Sequence, residues 1–99
     1  MSLTELHSIL TAQCLRHPVK SLKVFGSFAR GNAKDGSDLD LLVQFEDLPA
    51  TDYARHYFGL LHDIQDAVGR EVDLLTPASI TSDSLKRNIQ EEAVTIYEA

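Results

Sequence analysis

The chain predicts a small α/β domain, a mixed β-sheet with helices packed on it, and three observations lead there. Helical and extended apolar patterns alternate along its length. Its 99 residues suffice for one two-layer core but not for a second domain, so residues 1–99 are expected to form a single unit. No repeat, linker or low-complexity stretch interrupts the pattern.

Leu6, Ile9, Leu10 and Cys14 recur at helical spacing after a cap at Ser2 or Thr4, and Pro18 forces His17 out of the helix, which should end near Arg16. Leu22-Lys23-Val24-Phe25 alternates apolar and polar residues up to Gly26 and reads as a short strand entering a tight turn. Ser27 then opens one helical turn through Arg30. Residues 31–37 are turn formers without periodicity, hence a loop, and Leu39 to Phe45 is the second strand. Pro49 and Thr51-Asp52 mark a helix start, after which Tyr53, Tyr57, Leu60, Leu61, Ile64 and Val68 trace an apolar stripe ending at Gly69. Glu71 to Leu75 is a third strand, stopped by Thr76-Pro77. A last helix begins near Ser82 with Leu85, Ile89 and Ala93 on one side. The β-branched residues of Val94-Thr95-Ile96-Tyr97 favour a terminal strand, although the preceding pattern could run on as helix.

Composition narrows the function. Nine Lys and Arg face 15 Asp and Glu, a formal charge of −6, with neither a basic stripe nor interleaved aromatics, which argues against duplex nucleic acid as a direct partner. No apolar run approaches membrane-spanning length and the first residues lack the pattern of a signal peptide. The single cysteine, Cys14, lies among apolar helical positions and cannot form an internal disulfide, as expected of a core residue in a reduced, cytoplasmic protein.

The chemistry concentrates in two short stretches. Asp38 and Asp40, two apart at a strand start, point to one face with Cα atoms about 6.6 Å apart. A phosphate-bound Mg²⁺ needs only one or two protein carboxylates, since phosphate oxygens and water complete the octahedron. Asp38 and Asp40 could thus hold two ions, one activating an acceptor hydroxyl and one holding a nucleoside triphosphate. Alternation along Glu71–Leu75 puts Asp73 on the face opposite Val72 and Leu74, where it could complete the metal site or accept the hydroxyl proton. Gly26 lets backbone approach phosphate without a Cβ, Ser27 offers a hydroxyl, and Arg30 can add a charge-assisted contact. Alone, Gly-Ser is usually a turn, Asp-x-Asp a solvated strand end and an arginine a surface charge. Their order on adjacent elements is what points to nucleotidyl transfer. Walker and dinucleotide glycine patterns are absent, the acids of Asp35–Asp38 are misplaced for a calcium loop, and His56 and His62 are off the spacing of a helical zinc pair. Tyr53, Tyr57 and Phe58 read as core and rim of their helix, with enough aromatic surface for a protein interface.

With these residues the chain resembles the minimal nucleotidyltransferases of the polymerase-β-like superfamily, whose signature is Gly-Ser, a ten-residue gap and Asp-x-Asp, here Gly26-Ser27 and Asp38-Leu39-Asp40. Gly-Ser-Phe-Ala-Arg-Gly at 26–31 and Ser37-Asp38-Leu39-Asp40-Leu41-Leu42-Val43 are typical of its small prokaryotic members, and the resemblance extends to Asp73. It implies the polymerase-β-like nucleotidyltransferase fold, with Asp38, Asp40 and Asp73 as catalytic and metal-binding carboxylates. Gly26, Ser27, Arg30 and Ser37 would be nucleotide contacts, Mg²⁺ the cofactor, with two ions expected, and ATP the substrate. Such proteins commonly act as antitoxins beside a helical HEPN ribonuclease toxin, so the resemblance implies AMP transfer onto a tyrosine hydroxyl of that partner in a hetero-oligomer. Larger relatives carry a helical domain that grips acceptor and base. This chain has none, and a helical partner could take its place. Two alternatives stand beside this reading: an antitoxin that neutralises its toxin by stoichiometric binding, and a nucleotidyltransferase for a small molecule such as an aminoglycoside, against which the missing acceptor domain argues.

Overall fold

Period-2 alternation in the strands and the broader helical stripes divide the apolar side chains between two faces of one sheet. The computed structural model describes residues 2–99. In chain order these form α1 (Leu3–Cys14), β1 (Val19–Phe25), α2 (Ser27–Arg30), β2 (Leu39–Phe45), α3 (Ala50–Val68) and β3 (Val72–Leu75), then a 3-10 turn (Pro77–Ser79), α4 (Asp83–Glu92) and β4 (Val94–Glu98). The sheet order is β3-β2-β1-β4. Only β2 and β3 run parallel, joined by α3 as the crossover helix; β1 is antiparallel to both β2 and β4. This is the small mixed sheet that the sequence predicts.

Leu39, Leu41 and Val43 of β2, Leu22 and Val24 of β1 and Leu74 of β3 form one face, covered by Leu6, Leu10 and Cys14 of α1 and by Leu60 and Ile64 of α3. Most of these side chains are fully buried, so truncating one such as Leu41 to alanine should cost about 2–5 kcal/mol. Cys14 is among them, and burial pushes its thiol up to about 12. The opposite face carries a smaller cluster at one end, where Ile80 and Ile89 pack on Phe25 with Leu42, Leu75 and Leu85 around them.

Ser2 is the N-cap of α1, accepting from the Glu5 amide, and Ser82 caps α4 by accepting from the Leu85 amide. Gly69 ends α3 in the left-handed conformation. The tail Val94–Glu98 is a strand, as its β-branching favours, and it pairs with the interior strand β1. Two limits move. The first helix stops at Cys14 instead of near Arg16, and β1 starts at Val19, three residues before the alternating stretch, with a register irregularity between Val19 and Ser21.

Candidate active site

At the start of β2 and β3 the uncovered face of the sheet gathers the acidic residues. Asp40 and Asp73 are direct register partners on the two parallel strands, so their side chains project to the same side. The strand pair is anchored just before them by the Leu39 amide, which donates to the Glu71 carbonyl at 3.0 Å. Asp38 lies on the approach to β2 and is exposed, as is Asp73, whereas Asp40 is half-buried. That burial, reinforced by the neighbouring carboxylates of Asp73 and Asp38, holds the Asp40 carboxyl above its ordinary range, with Arg30 partly opposing the shift. The structure thus brings Asp38, Asp40, Asp73 and Arg30 into one electrostatic neighbourhood.

Gly26 sits against this group. It ends β1 opposite Asp40, because its neighbour Phe25 is the register partner of that residue. Its backbone has φ 72° and ψ −148°, a region essentially reserved for glycine. A Cβ here would collide with Asp40 Oδ2 and lie 3.1 Å from its Cγ, so glycine is required both by backbone conformation and by the closeness of the carboxylate. Ser27 follows as the first residue of α2, whose short turn is closed by the Arg30 amide donating to the Gly26 carbonyl at 3.1 Å.

Two expected nucleotide contacts have protein partners of their own. Arg30 Nη1 is 3.0 Å from Glu92 Oε2 at the end of α4, an ion pair spanning 62 residues of sequence. Ser37 Oγ accepts from the Lys34 amide at 2.8 Å, closing a turn around Gly36, and in doing so leaves its own O–H free to donate. Among the described residues no group of three or more His, Cys, Asp or Glu side chains is placed so as to hold a metal ion as it stands. The octahedral demands of Mg²⁺ are compatible with fewer, and repelling carboxylates on one face are the donor chemistry that a hard cation takes.

The nucleotidyltransferase domain family matches the chain over residues 6–96. This protein belongs to that family. Among its relatives is the protein adenylyltransferase MntA of Thermococcus cleftensis, 36% identical over 95 residues that cover 92% of this chain and 93% of the relative. A solved structure provisionally named a minimal nucleotidyltransferase is 34% identical, with a TM-score of 0.71 and 95% of each chain covered. The MNT antitoxin in complex with a tri-AMPylated HEPN toxin, from Shewanella oneidensis, shares the fold at a TM-score of 0.58 and 16% identity, over 94% of this chain and 73% of that one. The chain is therefore a nucleotidyltransferase of the minimal type, with the fold expected from its sequence.

Beside Asp73 this nucleotidyltransferase has an open groove of about 420 Å³, walled by Tyr53, Tyr57 and Phe58 from α3 and by Leu75, Thr76 and Ser79. Tyr57 donates its hydroxyl to the Leu74 carbonyl, and burial, with the Asp73 charge second, raises its phenol above the ordinary value. Phe58 and Tyr53 are 54% and 38% exposed, which makes this a partly apolar wall open to solvent. Sequence reasoning missed Glu92 as the partner of Arg30. It also missed Arg70, whose Nη1 donates to the Ser37 carbonyl at 3.1 Å and whose guanidinium carbon lies 4.8 Å from the centre of the Phe28 ring. The only signal for Arg70 in the sequence is a cation just after Gly69, which ordinarily marks the end of a helix. Among the described residues no helix is long and apolar enough to cross a membrane.

Proposed function

We propose that this protein is an ATP- and Mg²⁺-dependent adenylyltransferase of the cytoplasm that transfers AMP to a tyrosine hydroxyl of a partner HEPN ribonuclease toxin, and so acts as its antitoxin. The observation that carries the reading is the Asp40–Asp73 register pair, with Asp38 beside it and Gly26 held against Asp40. It is supported by the adenylyltransferase name of the Thermococcus relative and by the fold shared with an antitoxin found on an AMP-modified HEPN toxin.

In this reading Asp38, Asp40 and Asp73 would hold Mg²⁺ together with the nucleotide's phosphate oxygens. When bound, the cation neutralises the charge that develops on the α-phosphate. Asp73, exposed at the edge of the groove, takes the proton of the tyrosine hydroxyl as that oxygen attacks the α-phosphorus. The bond from the α-phosphorus to the bridging oxygen breaks and pyrophosphate leaves. Gly26 brings backbone close to the triphosphate, and Ser27 and Ser37 donate hydroxyl hydrogens to it. Arg30 joins them by exchanging the Glu92 carboxylate for a phosphate oxygen.

Intact-mass measurement of the HEPN partner after incubation with this protein, ATP and Mg²⁺ tests the proposal, and a gain of one or more AMP units is expected. The Asp38→Asn, Asp40→Asn double variant removes charge at nearly constant volume and should leave the partner's mass unchanged. Undiminished AMP addition by that variant rejects the mechanism. A second reading, stoichiometric neutralisation, draws on the exposed aromatic wall of Tyr53 and Phe58. It predicts that the double variant still silences the toxin and that the wild-type protein leaves the toxin's mass unaltered.

A further inference from the structure

We propose that Arg70, which lies outside the Gly-Ser and Asp-x-Asp motifs, is a positioning residue that sets the backbone orientation of Asp38 and ties it to the Gly26–Ser27 turn; the inference rests on the proposed role of those residues. Arg70 opens the short link between Gly69 and β3. Its Nη1 donates to the Ser37 carbonyl at 3.1 Å, and that carbonyl belongs to the peptide group whose nitrogen is the Asp38 amide. Holding the oxygen fixes the plane of the 37–38 peptide and with it the direction in which the Asp38 side chain leaves the chain.

The same guanidinium stacks over Phe28, 4.8 Å from the ring centre, and Phe28 is the residue after Ser27. One planar group therefore touches the neighbour of each motif and braces both from behind. The preceding loop needs such a brace. Residues 32–38 form no helix or strand, and Asp38 itself is exposed, so the register of β2 alone does not fix its carboxylate.

Two further observations set Arg70 apart from an ordinary surface arginine. Its Nε is buried with no hydrogen-bond partner, and among the described residues no carboxylate lies within 4.0 Å of its charge. A cation kept partly out of water without an acidic partner is costly, and such a cost is tolerated where the group has a positioning task. Lysine cannot replace it: an ammonium lacks the flat fork that donates to a carbonyl and stacks on a ring at once.

The test uses the full chain with its HEPN partner. Arg70→Met keeps the apolar stem and removes the fork, Arg70→Lys keeps the charge, and Arg70→Ala leaves space for added guanidinium ion. The expectation is a 10- to 100-fold fall in kcat for AMP transfer in the Met variant, with KM for the partner within two-fold. The Lys variant should recover little of this, and millimolar guanidinium should partly restore the Ala variant. The Asp38 amide resonance of the protein without nucleotide or metal should move in all three variants. Wild-type kcat in variants that remain folded, or an unmoved Asp38 amide, overturns the inference. A Met or Lys variant too unstable to assay is replaced by the guanidinium series on Arg70→Ala, and failure of guanidinium to raise its kcat counts against positioning. Absence of AMP transfer by the wild-type protein would instead strike the proposed function, and the Asp38 amide would still decide the role of Arg70.

Discussion

Replacing Asp40 by asparagine should make the protein more stable and inactive at once. Asp40 stands directly opposite Asp73 across a parallel strand pair, is half-buried, and has its carboxyl held above the ordinary range by burial and by the charges of Asp73 and Asp38. Asparagine keeps the shape and removes the repulsion. Cross-strand pairs act on the scale of about 1 kcal/mol, and a gain of that size raises the melting temperature of a domain of this length by about 4–8 °C. The pH dependence has a definite sign. A carboxyl whose folded titration lies above its unfolded value near ~3.9 stabilises the fold in its neutral form, so stability is fullest below that value and declines as pH rises through the folded titration. In the variant that limb disappears. Losing a carboxylate proposed to bind the metal should meanwhile remove about 4 kcal/mol of transition-state stabilisation, roughly a thousand-fold in AMP transfer. Scanning calorimetry in chelator at several pH values, alongside intact-mass assay of the partner, measures both effects. A lower melting temperature for Asp40→Asn would refute the repulsion, and wild-type transfer would refute the catalytic assignment.

Two other outcomes follow from the geometry. Gly26→Ala meets both a backbone conformation that costs a side-chain-bearing residue about 1–3 kcal/mol and a collision with Asp40. Its urea midpoint should therefore fall further than that of Gly36→Ala, which has φ 85° but open space around the new methyl and should lose about 1 kcal/mol; equal midpoints would contradict the contact. Asp63, on α3, accepts from His17 Nε2 at 2.7 Å, and this hydrogen bond, ahead of the charge of Arg16, holds its carboxyl below the ordinary range. The stability it contributes is present above the unfolded value near ~3.9 and is lost as pH falls through the lower folded one. Asp63→Asn should thus give a shallower acid limb, with under about 1 kcal/mol lost at pH 7 because the partly exposed pair is screened; identical limbs in denaturant titrations down to pH 3 would contradict the assignment.

Much of this organisation is legible in the residue order, for local reasons. Leu39, Leu41, Val43 and Phe45, with Val72 and Leu74, recur at every second position, which reveals both strands and the side to which Asp40 and Asp73 turn even though apolar Leu42 and Leu75 share that side. The turn at Gly26-Ser27 is legible because only glycine suits that backbone. The beginning of β1 is not, since Pro18 and the irregular pairing near Val19 break the period on which such a reading depends. Nor is the Arg30–Glu92 pair, whose members meet only after α4 has folded back across the sheet. Arg70 escapes for a different reason: its partners are a backbone carbonyl and a ring face, and neither leaves a complementary charge to be found in the sequence.

The wholly enclosed sulfur at position 14 gives this small enzyme a built-in reporter of unfolding. With its thiol pushed to about 12 and no accessible surface, Cys14 stays silent toward alkylating reagents in the native ensemble and reacts only when α1 lifts from the sheet. Its labelling rate, read by mass, measures how often that helix opens, with no engineered probe and no disturbance to the acidic face.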